Sequence, residues 1–398
     1  MDRTDKAPRI ARGVCAALCC LGLLVLAVWN RTLFLEPAER FLRGEIPFSW
    51  MKDEIQSGYT GDRLRGQPEF ITLNGGFERL CGRTRVNGVQ RMRNGMLTFA
   101  DTSRMNMKPY AKNVTRLFRT LEARGIPFLF VMAPEKTALS GDLLPAGSME
   151  EAYNPNADEA LALLRGAGVP CLDLRETLSA TPAQVEAYFY RTDHHWNADG
   201  ALRGYQEVMG ALRALDPELE ARYTDAALWR RFEQPDWWLG SHGKRVGALF
   251  AGLDPLNWYL PAFDTADMTL NAPGFDLRTG DFAQANLQRF YREEKRPLDL
   301  DNYHVYIGGD YPLILQRNPG ASNPKRLLLI RDSFALPLMA FLSVEFQEID
   351  AVDPRYYQEM TVAEYLERNP PDLVVMMNHP SILGNGRYND FGLKGGKK

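Results

Sequence analysis

Short runs that are apolar on both faces, each followed by a segment of helical period, constrain this chain more than any other feature. The runs are "IPFLFVMA", "VPCLDL", "KRLLLI", "FQEIDAV" and "DLVVMM". Helical spacing links Met107, Tyr110, Val114, Leu117, Phe118 and Leu121 and stops near Gly125; it returns around Ala157 to Leu164, from Ala198, from Ala335 and around Val362 to Glu367. A strand that is apolar on both faces is buried on both. That is the condition of a parallel sheet covered by helices on its two sides, with right-handed crossovers. The predicted class is α/β, built from two halves at residues 105–214 and 325–380.

Residues 215–324 lie between the halves and lack the alternation. They are rich in aromatic residues and glycine, as in "WRRFEQPDWWLGSHGKRVGALF". A stretch this long without elements is usually functional, so it reads as an insertion packed beside the sheet and bearing substrate-facing loops. Its aromatics either stack on sugar rings or form the insertion's own small core. Residues 30–104 read as a peripheral connection with short hairpins, and residues 381–398, ending in "GLKGGKK", as a tail. A hydrophobic fraction of 45% supports a buried core, while the net charge of -3 leaves no broad basic surface for nucleic acid.

The N-terminus points to a membrane. Gly13 to Trp29 carries no charge, and it reaches the lower end of the roughly 17 to 25 residues that a spanning helix needs. Arg3, Lys6, Arg9 and Arg12 precede it and only Arg31 follows closely. The positive-inside rule then leaves residues 1–12 as a cytoplasmic tail, residues 13–29 as an anchor and the main chain outside. A cleaved signal peptide is the competing reading, but "VLAVWNRTLF" offers no clear small-x-small cleavage site. Either way the main chain is exported. Of five cysteines only Cys81 and Cys171 fall in the exported part, enough for one disulfide.

In open α/β sheets ligands bind beyond the carboxyl ends of the strands. In "KRLLLIRDSFALPLMAFLS" that position holds Asp332 and Ser333, at a strand-to-helix corner whose free N–H groups suit an oxyanion. An ordinary N-cap role for both residues is the structural alternative. The stretch "YRTDHHWNADGA" places Asp193, His194, His195 and Trp196 in a loop before a helix capped by Asn197. Residues two apart point to similar sides there, so Asp193 reaches His195 and fixes its tautomer, and His195 is placed to take a proton from Ser333. Asp-His-His is also a metal-ligand pattern, but His242, His304 and His379 stand in no ligand spacing, so no metal is expected.

"FYRTDHHWNADGA", "YHVYIGGDYPL", "KRLLLIRDSFALPLMAFLS", "IDAVDPRYY" and "DLVVMMNHP", in this order, resemble the DHHW family, which is itself similar to the SGNH-hydrolase-like proteins of alginate O-acetylation. The resemblance spans Val86 to Asn378. It implies a three-layer α/β/α fold and a catalytic triad of Asp193, His195 and Ser333, with no cofactor. Arg331 departs from it, because SGNH hydrolases carry glycine before Asp-Ser. The oxyanion donors have no secure match; Gly308, Gly309 and Asn378 are candidates, and Arg355 is a candidate for holding an acyl or carboxylate oxygen. Turn-forming, capping and salt-bridge roles are the plain alternatives for these four. His194 reads as loop support, with the choice of His195 as base resting largely on the resemblance.

The resemblance implies a membrane-anchored O-acetyltransferase acting on an exported or cell-envelope polysaccharide, with a polytopic membrane-bound O-acyltransferase supplying acetyl groups because coenzyme A is not expected outside the cell. An esterase using the same triad is one alternative, and a non-catalytic glycan-binding or scaffold protein is another.

Overall fold

The computed structural model describes residues 17, 20–22, 24–60, 64–99, 102–141, 143–148, 151–288, 302–388 and 390–393. The chain divides into two compact units, residues 1–74 and 75–398. In the first, helices Thr32–Leu42 and Phe48–Thr60 are joined by an ion pair of 2.8 Å between Arg40 and Glu54, and helix Gln67–Leu80 begins before running into the second. The sequence reading of residues 30–104 as a peripheral connection with short hairpins did not foresee these helices. Large apolar side chains such as Phe34, Leu42, Trp50 and Leu73 are exposed on these helices, so the polar-to-apolar alternation of a core-facing helix is missing from the sequence. Of the predicted anchor at 13–29, residues 13–16, 18, 19 and 23 lie outside the described residues. Among those described no single helix is long and apolar enough to cross a membrane, although Cys20–Trp29 and Thr32–Leu42, bent by 55°, qualify together by length and composition.

The second unit opens with a three-stranded antiparallel meander, β1 (Arg85–Val86), β2 (Val89–Arg91) and β3 (Leu97–Phe99). An eight-stranded sheet follows, in the spatial order β5-β4-β13-β11-β12-β10-β8-β9. β4 (Phe128–Met132), β5 (Cys171–Asp173), β11 (Asn323–Ile330), β12 (Phe346–Val352) and β13 (Leu373–Asn378) run parallel. Their side chains alternate between two cores. Leu327 and Leu329 of β11, Leu129 and Val131 of β4, and Val375 and Met377 of β13 face one core, which includes the helices Ala198–Leu215 and Ala335–Leu342. Leu328, Ile330, Phe128, Phe130 and Met376 face the other, formed with Lys108–Glu122, Tyr153–Gly166 and Val362–Arg368. This two-sided burial is why the strands read as unbroken apolar runs.

The insertion joins the sheet and does not merely lie beside it. Its β8 (Met268–Ala272), β9 (Asp276–Gly280) and β10 (Leu313–Arg317) continue the sheet antiparallel from β12, with Leu313 opposite Val352. These edge strands bury only alternate residues or fewer, so they lack the signature of the central ones. β6 (Trp229–Trp238) and β7 (Asp254–Pro261) form a separate antiparallel ribbon. Residues 381–393 are not a loose tail either, since Tyr388 and Phe391 are buried in the second core. Cys81 and Cys171 are both free thiols.

From β11 the chain moves to β12 on one side and then returns to β13 on the other. The winding reverses at β11, and its carboxyl end is the crevice in which such sheets bind ligands. Ser333 sits there.

Candidate active site

Three segments from distant parts of the chain build the site. Asn197 caps helix Ala198–Leu215 through Oδ1, which accepts from the Gly200 N–H at 2.9 Å. The cap fixes the loop ahead of it, and Trp196, wholly buried, ties that loop to the nucleophile corner by donating its indole N–H to the Phe334 carbonyl at 3.0 Å. Asp193 Oδ1 lies 2.7 Å from His195 Nδ1 and accepts the His195 backbone N–H at 3.0 Å. His195 Nε2 lies 2.9 Å from Ser333 Oγ. A carboxylate can only accept, so it holds the proton on Nδ1 and turns the bare Nε2 lone pair toward the serine hydroxyl.

The electrostatics keep this imidazole neutral. Burial, reinforced by neighbouring His194, pushes His195 down to about 3 against the opposing pull of Asp193. Burial opposes ionisation of Asp193 too, but His194, His195 and the Ser241 N–H outweigh it and hold the carboxyl well below its usual range. The Ser241 N–H donates to Asp193 Oδ2 at 2.7 Å. His194 stacks obliquely on His195, with centroids 3.7 Å apart, and its Nδ1 meets Ser241 Oγ at 3.0 Å. It therefore braces the loop and is not the imidazole that meets Ser333. Asp193, His194 and His195 also offer ligand atoms within 4.8 Å of one another, but Asp193 Oδ1 and His195 Nδ1 are already spent on each other.

Several residues that the sequence did not single out complete the arrangement. Tyr303 stacks flat on His195, 3.5 Å away and inclined by 6°, and its hydroxyl donates to the Ser333 carbonyl at 2.9 Å. One side chain thus braces base and nucleophile together. The loop after β4 holds both halves of the site. Lys136, buried, donates from Nζ to the carbonyls of Asp193 at 2.6 Å and Arg191 at 2.8 Å; burial lowers it to about 7. Beside it, Glu135 Oε2 pairs with His379 Nε2 at 3.1 Å. The His379 ring stacks on Phe334, and the His379 backbone N–H donates to Asp332 Oδ2 at 2.6 Å. Asp332 Oδ1 in turn accepts the Phe334 N–H at 2.8 Å. Lys136 lies in "MAPEKTAL", just past a predicted strand, so the rule that located Ser333 also pointed to it. His379 and His242 come near His194 only through folding.

The other candidates are engaged elsewhere. Asn378 is wholly buried, accepts the Tyr110 hydroxyl at 2.8 Å and donates to the Met377 carbonyl. Gly308 occupies a turn at φ 95°, its carbonyl accepting from Gln288 Nε2, with Gly309 packed beside Tyr311. Among the described residues no hydrogen bond joins Asn378, Gly308 or Gly309 to Ser333 or His195. Arg355 bonds Asp353 at 2.6 Å and Asp310 at 2.8 Å. The same two carboxylates take Arg331, whose side chain is fully buried and whose Nη2 also donates to the Tyr311 carbonyl. Arg331 thus leaves the corner for an ion network behind it, which is how an arginine replaces glycine next to Asp332 without filling the site.

This geometry is accompanied by a sequence match. Residues 93–237 match the SGNH hydrolase-like domain of the acetyltransferase AlgX. No curated protein matches the chain significantly. Among solved structures, Bacillus cereus PatB1 is similar at 24% identity, a TM-score of 0.63 and coverage of 74% of this chain and 97% of that one. PatB1 with a sulfonyl adduct is similar at 22% identity, a TM-score of 0.64 and coverage of 77% and 98%. A DHHW family protein from Eubacterium siraeum is similar at 16% identity, a TM-score of 0.57 and coverage of 77% and 95%. The second unit has the SGNH-hydrolase-like α/β fold, as the resemblance read from the sequence implied.

Proposed function

We propose that the protein is an O-acetyltransferase that acetylates an exported or cell-envelope polysaccharide through Ser333, held to the membrane by its N-terminal segment. The observation that carries this reading is the continuous relay from Asp193 through His195 to Ser333, with spacings of 2.7 and 2.9 Å. His195 takes the Ser333 proton as Oγ attacks the acetyl carbonyl, and Asp193 stabilises the imidazolium that forms. Collapse of the tetrahedral intermediate breaks the bond to the donor, whose leaving oxygen takes the proton, and an acetyl-serine remains. A sugar hydroxyl then attacks that ester, giving its proton to His195, and the acetylated sugar leaves as Ser333 recovers its hydrogen. The Ser333 N–H, which meets no backbone acceptor among the described residues, is the oxyanion donor.

The similarity to the AlgX acetyltransferase domain supports acyl transfer over plain hydrolysis. The uncharged stretch at 13–29 supports anchoring, since a tethered domain stays close to a polytopic O-acyltransferase that delivers acetyl groups across the bilayer. Ser333→Ala should abolish acetyl transfer to glycan and labelling by phenylmethylsulfonyl fluoride in a protein that still folds. Unchanged transfer by the folded variant would overturn the assignment. Acetate release from p-nitrophenyl acetate with no glycan acetylation, in the presence of the donor system, would make the protein an esterase.

A further inference from the structure

A cleft of about 140 Å³ adjoins the relay. Phe99 and Tyr153, both partly exposed, line it together with Ser381, and beneath them lie His194 and the Glu135–His379 pair. It touches the relay from two directions. The His194 ring packs on His195, and the His379 ring stacks at 4.2 Å on Phe334, the residue after Ser333. The aromatic lining is held in place: Phe99 meets the His242 ring edge-on at 4.1 Å and carries the Arg245 guanidinium 4.8 Å above it, while Tyr153 meets His379 at 6.2 Å.

Cavities of about 150 Å³ accept one six-membered ring. Aromatic faces suit the C–H face of a sugar, and neutral polar groups suit its hydroxyls. The His194 ring, lowered by burial, lines the cleft, and Ser381, exposed, adds a hydroxyl that also meets His379 Nδ1 at 2.7 Å. Because the cleft is as small as one ring and two of its lining side chains, His194 and His379, pack on the base and on the residue after the nucleophile, we infer that it seats a single sugar unit of the acceptor glycan against Phe99 and Tyr153. This assignment builds on the acetyl-transfer reading by naming where its acceptor docks.

The test measures binding apart from turnover. Full-length Ser333→Ala protein in detergent is titrated calorimetrically with a β-1,4-linked N-acetylglucosamine tetramer and, separately, with tetragalacturonate, whose carboxylates would exploit Arg245. One of the two should bind, and Phe99→Ala or Tyr153→Ala should weaken it about tenfold, whereas Tyr153→Phe should bind like the parent. In the Ser333 background the same substitutions should leave the p-nitrophenyl acetate burst unchanged. Binding of neither probe, or binding indifferent to both alanine variants, would overturn the inference; so would a burst that falls in step with binding, because the aromatics would then be shaping the relay. Binding by a protein that transfers no acetyl group to any glycan would keep the subsite and remove the transferase reading.

Discussion

Gly240 tests the reasoning about the relay without touching any of its members. A Cβ added there would stand 2.4 Å from Asp193 Cβ, 2.7 Å from its Cα and 2.8 Å from its N, where ordinary contact begins at 3.4 Å. The difference, 3.4 − 2.4, is about 1 Å of enforced retreat, in the range where overpacking costs roughly 1–3 kcal/mol. Neither backbone can absorb it freely. Gly240 N–H donates to Thr192 Oγ1 at 2.8 Å, Ser241 N–H donates to Asp193 Oδ2, and Lys136 holds the Asp193 carbonyl. The displacement therefore passes to the carboxylate that orients His195, and a misplacement of about 1 Å costs on the order of 100-fold in rate. Gly240→Ala should lose about that factor in the p-nitrophenyl acetate burst and in sulfonyl fluoride labelling while still unfolding cooperatively in urea. Gly210→Ala, in helix Ala198–Leu215 with nothing within 4 Å of its added carbon, is the matched control. Acylation at the wild-type rate in folded Gly240→Ala would refute the claim that Asp193 placement governs the site.

Four further outcomes follow from the same geometry. Because burial and His194 push His195 down to about 3, the base stays unprotonated as pH falls from 8 to 5, so kcat/KM for acylation should hold level there and fail only nearer 3; an acid limb at the ordinary histidine value, roughly 6.5, would contradict this. The same depressed value means the unfolded chain binds protons first, so the contribution of His195 to stability is complete above about 6.5 and declines as pH drops from there toward 3, which urea midpoints at several pH values would show. Lys136→Met keeps the stem but leaves the Asp193 carbonyl without its donor, while the Arg191 carbonyl keeps the Leu97 N–H at 2.9 Å; it should cost about 1–3 kcal/mol for the stranded group and lower kcat more than it raises KM for p-nitrophenyl acetate. Arg331→Met removes a buried cation from between Asp310 and Asp353, which keep Arg355, and strands the Tyr311 carbonyl; it should destabilise the fold by about 1–3 kcal/mol, measured by urea unfolding, and no loss at all would mean that Arg355 alone satisfies the network.

Residues 325–330 show how much could be read directly. Their apolar run, followed by a helical segment, identified a central strand because both faces of β11 are buried, and the turn after such a strand is where a ligand site belongs. The Asn197 cap was equally legible, since capping is a contact between near neighbours. β8, β9 and β10 escaped because an edge strand buries too few of its residues to mark the sequence. The helices at 32–80 escaped for the opposite reason, as their apolar side chains are exposed and follow no core-facing stripe.

Local patterns were enough for the layered α/β class, the loop carrying Asp193 and His195, and the corner carrying Ser333, because each depends on residues a few positions apart. It took the packed fold to lay Tyr303 flat on His195, to leave room for Asp193 at Gly240, and to turn Asn378 and Arg355 away from the site. Those are contacts between distant segments, and no local spacing encodes them. They arise where the ends of separately buried strands are brought to one rim, and the packing there selects which polar groups face each other.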